Sequence, residues 1–167
     1  MLDLDRFMIS QFIPIEQVAF YSVAVFITAV IAVPNRAMHQ ITHPLTAKLM
    51  ASGQQDELQS LYRKSAINLQ WISGLIYIGI LVNLNNSYQM IPAEYAGGSS
   101  VVFLIGLSKY FESCLGNNNA IIFNSDYYKI VLSISFFIIA LAAGLNYSLI
   151  PLLGISGAAV ATLISLS

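Results

Sequence analysis

Charge is scarce in this chain: of 167 residues only 7 are Lys or Arg and 8 are Asp or Glu, 9% in all. An ordinary soluble domain is about a quarter charged. With a formal net charge of -1 there is no basic field to attract nucleic acid and no acidic field to attract a cationic partner. Cysteine is scarcer still. The single Cys114 can form no internal disulfide and reads as a small packing residue inside an apolar stretch. The start, Met1-Leu2-Asp3-Leu4-Asp5-Arg6, is acidic where a secretory signal is basic, and no small-residue cleavage site follows a short apolar core. A Walker loop, a nucleophile elbow, a zinc-ligand pattern and a dinucleotide fingerprint are all missing, so no enzyme, cofactor or metal is expected.

What the chain has in excess is apolar side chain: 57% of its residues are hydrophobic, and mean hydropathy is +0.72. A chain this short cannot hide so much apolar surface in one water-soluble core. Lipid is the expected solvent and an all-α integral membrane fold the expected class.

A helix needs about 20 largely apolar residues to cross a bilayer. Four stretches qualify: residues 15–50, kinked at Pro34, then 66–84, 101–123 and 130–149. Partial helices are expected at both ends, over 4–13 and 155–167, which reads as one membrane bundle incomplete at both ends. The polar residues 51–64, with Asp56, Glu57, Arg63 and Lys64, read as an aqueous connection. Pro92, Glu94, Gly97 and Gly98 mark a turn, Asn124-Ser125-Asp126 a second, and Pro151 with Gly154 a third. Lys48, Arg63, Lys64 and Lys129 fall in loops on one side, which places those loops in the cytoplasm.

Charged and strongly polar residues inside spans are costly, so each is a candidate for function. Lys109 and Glu112 share a helix face. They read either as a neutralised packing pair or as the lining of a water-filled cavity. In the second reading Lys109 contacts phosphate on an anionic or sugar-bearing cargo, and Glu112 is its partner or a proton carrier. Arg36, His39 and His43 also share one side of their helix, near the membrane boundary. They read as a snorkelling arginine with hydrated histidines, or as the mouth of a cavity where Arg36 and His39 capture a diphosphate headgroup. Asn117, Asn118 and Asn119 point around most of their helix, so at least one should cap it or bond a neighbouring helix. Asn118 is the cavity candidate among them. Asp5 and Arg6 read as a pair at a helix end. Gly154 with Ala158, and Gly157 with Ala161, are small pairs that let helices approach closely in lipid.

Several local patterns together resemble the carboxyl-terminal half of lipid-linked oligosaccharide flippases of the polysaccharide biosynthesis family. Their superfamily also holds the multidrug and toxic compound extrusion (MATE) transporters. Gln17-Val18-Ala19-Phe20-Tyr21-Ser22-Val23-Ala24 is similar to the segment opening the family's eighth helix. Pro44-Leu45-Thr46-Ala47 and Ser52-Gly53-Gln54-Gln55-Asp56-Glu57-Leu58 resemble its proline and cytoplasmic connection. Ile91-Pro92-Ala93-Glu94-Tyr95 resembles its outer loop, and Gly154-Ile155-Ser156-Gly157-Ala158-Ala159-Val160-Ala161-Thr162 the start of its twelfth helix. The resemblance implies the second helical bundle of a MATE-like flippase fold, facing an amino-terminal bundle absent from this sequence. It also implies alternating access and a lipid-linked oligosaccharide cargo carried on undecaprenyl diphosphate. That cargo moves across a bacterial inner membrane, and the partners implied are membrane lipid and the missing bundle. Such a half bundle is not expected to transport alone. Arg36 and Lys109 are drawn from chemistry, not from a matched motif.

The readings that compete with this one are a cation-coupled multidrug or metabolite exporter of the same superfamily, a non-transporting membrane scaffold, and a piece of a membrane glycosyltransferase.

Overall fold

The computed structural model describes residues 8–89, 98–125 and 128–166. Of these, 92% are helical and none is in a strand. The expected Asp5–Arg6 pair, the outer turn at 90–97 and Asp126 lie outside the described residues.

A short helical piece, α1, covers residues 8–12. It is followed by α2 (Ile15–Ala29), a 3₁₀ turn (Val30–Ala32) and α3 (Val33–Ala51). Then come α4 (Gln55–Val82), α5 (Leu84–Gln89), α6 (Ser99–Cys114), α7 (Asn118–Phe123), α8 (Tyr128–Leu153) and α9 (Ile155–Leu166). Three helical stretches are long and apolar enough to cross a membrane: Gln17–Ala51, Gln55–Val82 and Lys129–Leu153. The chain is therefore all-helical and membrane-like.

The first stretch bends where proline requires it. Pro34 has no N–H to offer the Val30 carbonyl one turn back. The backbone tightens into the 3₁₀ turn, and the Val33 N–H reaches that carbonyl instead. The polar segment expected as an aqueous connection over 51–64 is mostly helix. Only residues 52–54 turn, with Gly53 at φ +70, and α4 starts at Gln55 with Asp56 and Glu57 in its first turn. Acids are stabilised there by the positive end of the helix dipole. At 28 residues α4 is about 42 Å long, so its charged start extends beyond a hydrocarbon core of about 30 Å.

Where one helix is expected over 101–123, the chain makes two, α6 and α7, so this stretch is not a single unbroken helical stretch like the other three. Gly116 adopts φ +57 and lies so close to α4 that an added Cβ would stand 2.9 Å from the Cα of Ala66. The same turn buries Asn117 against α3. A continuous helix would allow neither.

Side chains are distributed in the opposite sense to a water-soluble protein. The most exposed include Phe26 (80%), Phe136 (79%) and Leu152 (78%), while Thr28, Thr42, Thr46, Ser73, Ser108 and Asn117 are buried. In lipid, apolar area does not drive helices together, and close packing of small residues with interhelical hydrogen bonds does. The α8–α9 corner follows that rule. Gly154 turns at φ +62, a Cβ at Gly157 would run into the Leu149 carbonyl, and Ala158, Ala159 and Ala161 are fully covered. An apolar core of Tyr21, Ala24, Val101, Ile105, Ile150 and Ala158 joins α2, α6, α8 and α9. On α5, half-buried Tyr88 lies against Gly98, and its burial pushes the phenol above its usual pKa.

Candidate functional site

The 3₁₀ turn (Val30–Ala32) packs against α6, and α3 packs against α7. Ile31 lies against Gly106 and Thr42 bonds Asn117, in both cases 75 positions apart in sequence.

Helix α4 joins the same level from the third side. Buried Ser73 donates to the Ile31 carbonyl in the 3₁₀ turn at 3.4 Å, and Tyr77 donates to the Phe103 carbonyl at 3.0 Å. Tyr77 also stacks on Tyr110, with ring centroids 6.2 Å apart. Its ring occupies the notch left by Gly106, where a Cβ would stand 2.6 Å away.

Lys109 and Glu112 form an ion pair at 2.7 Å, with the lysine side chain 16% and the glutamate 35% exposed. Their spacing on α6 accounts for it, because residues three apart stack on one face. The Lys109 carbonyl accepts from the Ser113 hydroxyl at 3.0 Å. Two buried oxygens find no partner among the described residues: Oγ of Ser108, the residue before Lys109, and Oδ1 of Asn35 on α3. Most buried polar atoms are bonded, so such orphans are unusual.

A second polar joint lies where α3 meets the turn before α7. Thr42 donates to Oδ1 of Asn117 at 2.9 Å, and Nδ2 of Asn117 donates to the Thr46 hydroxyl. Of the three consecutive asparagines, then, Asn117 makes the interhelical bonds, while Asn118 is half-buried and Asn119 exposed.

The structure thus brings Lys109 and Glu112 together and leaves Arg36 and His39 apart from them. Arg36 faces outward and His39 is half-buried. Neither makes a hydrogen bond or ion pair among the described residues. Sequence reasoning missed Asn35, Ser73 and Ser108, which carry no charge to mark them. The signal that could have found Asn35 is its place directly after Pro34, where the helix must deform. No three His, Cys, Asp or Glu side chains group into a metal site among the described residues. Among the described residues the arrangement offers one ion pair and several neutral oxygens inside an apolar bundle.

Comparison of this chain with protein-family models, with curated proteins and with solved structures gives no match.

Proposed function

We propose that this chain is part of a transporter that flips an undecaprenyl-diphosphate-linked oligosaccharide across the bacterial inner membrane by alternating access. Its helices form the second bundle of a MATE-like flippase fold. The observation that carries the reading is the polar level where the 3₁₀ turn at Val30–Ala32 meets Ser73 of α4 and Gly106 of α6, one helical turn before Lys109 of the Lys109–Glu112 pair. Secondary transporters bind cargo where helices are broken and irregular backbone lines a cavity. A bundle built only for packing has no use for orphaned oxygens at such a point. Lys109 contacts the diphosphate, Glu112 holds Lys109 in place, and Asn118, Arg36 and His39 line the approach.

Inactivating the gene in its own host tests this. Lipid-linked glycan is expected to accumulate on the cytoplasmic leaflet while surface polysaccharide falls, and unchanged levels of both would remove the proposal. Transport that collapses with the Na⁺ or H⁺ gradient and accepts drugs would point to the exporter of the same superfamily. The 2.7 Å pairing of Lys109 with Glu112 favours a second reading, a scaffold that packs and does not transport. Cysteines placed at Lys109 and Asn118 decide between the two: water-soluble maleimide reaches them in a transporter cavity and not in a packed scaffold.

A further inference from the structure

A groove of about 310 Å³ runs along the outer side of α4 where it meets α6, lined by Gln70, Trp71, Gly74, Leu75, Ile78 and Tyr110. It exists because Gly74 has no side chain: a Cβ there would stand 3.3 Å from the Tyr110 ring. The groove opens toward the apolar exterior. Trp71 is 70% exposed and Leu75 68%. Its polarity is graded, with Gln70 and Trp71 nearer the charged start of α4 and only aliphatic groups at Leu75 and Ile78.

Lys64, Trp71 and Ile78 repeat at two-turn spacing and so lie on one stripe of α4. From Lys64 to Ile78 this stripe measures about 21 Å. One leaflet with its headgroup region is half of about 40–45 Å. The match in length comes with a match in chemistry. Arg63 and Lys64, both exposed, supply positive charge at the outer end. Of the first-turn acids, Glu57 lies on the same stripe about 10 Å further out and borders a hollow with Lys64, so the two opposite charges share that end of the helix. Tryptophan is the residue type that settles at the boundary between headgroups and hydrocarbon.

We infer that this groove is a binding site for one anionic phospholipid, its phosphate held by Lys64 and one acyl chain lying over Gly74 against Tyr110. The site depends on α4 crossing the membrane and is independent of what the protein transports.

Trp71 is the only tryptophan in the chain, so its fluorescence reports the groove alone. The full chain is placed in bilayers of phosphatidylglycerol and phosphatidylcholine in equal amounts, with bromine on the acyl chains of one lipid or the other. Brominated phosphatidylglycerol is expected to occupy the site over phosphatidylcholine by about fivefold, the weight of one basic side chain near an anionic surface. Lys64→Gln should bring that ratio to one and leave total quenching unchanged. Gly74→Leu, which fills the notch, should lower quenching by both lipids. Equal quenching by the two lipids in the unaltered protein, or a ratio that survives Lys64→Gln, overturns the site. If neither lipid quenches Trp71, the site falls together with the assignment of α4 as a span.

Discussion

Asn117 is the residue whose removal is most informative. It accepts from Thr42 and donates to Thr46, and with the side chain only 1% exposed no water can replace those partners. Asn117→Ala is expected to lower stability by about 1–2 kcal/mol, the worth of interhelical hydrogen bonds in bilayers, as measured by unfolding in mixed micelles with a denaturing detergent. Asn118→Ala, at a half-buried position, should change the same measurement by less than about 0.5 kcal/mol. Under the proposed function, Lys109→Ala is predicted to abolish glycan flipping in cells at normal expression, while Lys109→Arg keeps part of it. Retained flipping in Lys109→Ala would leave the ion pair with a packing role only. At this scale the sequence was partly legible. Spacing alone made the Lys109–Glu112 contact readable. Three adjacent asparagines announced that one of them would bond a neighbour, but which one depends on the phase of the helix, and Gly116 resets that phase. Asn35, Ser73 and Ser108 were not legible, because a neutral polar residue declares itself only once its neighbours are known.

Among the elements, the broken segment made of α6 and α7 shows where local pattern stops being sufficient. Residues 101–123 are apolar enough to read as one helix, and the break arises from a distant contact, the approach of Gly116 to Ala66 on α4. Gly116→Ala would add a Cβ at 2.9 Å from that backbone and hold a non-glycine residue at φ +57. The expected cost is about 1–3 kcal/mol or more, seen as a lower unfolding midpoint. Loss of the Asn117 joint in the same variant would appear as non-additivity with Asn117→Ala. The bend at Val30–Ala32 was legible to within a turn, since Pro34 marks it, although the deformation falls before the proline and not at it. Helix α4 begins earlier than its apolar content suggests, because the acids of its first turn and the charges after them prolong a helix into water.

Across the described residues many large apolar side chains face outward while several small polar ones are buried, which makes one more expectation measurable. In a Cys114→Ser background, Phe136→Cys at a site 79% exposed within the chain should resist a water-soluble maleimide in intact bilayers. Asp56→Cys, at the exposed start of α4, should react at once. Equal labelling would mean that water surrounds both. The helical, membrane-like class was plain from composition, because long apolar runs with few charges already mark helices able to cross a bilayer. The arrangement of the helices was not, since it is set by glycine notches and buried hydroxyls scattered through otherwise uniform hydrophobic runs. One of those arrangements limits how the molecule can move. Thr42 and Thr46 are tied to Asn117, while Ile41, 70% exposed, and Leu45 face outward. A roll of α3 about its own axis by a single residue step, about 100°, would thrust two hydroxyls into oil and wedge two bulky aliphatic groups into the joint. The rod is therefore barred from spinning about its own axis.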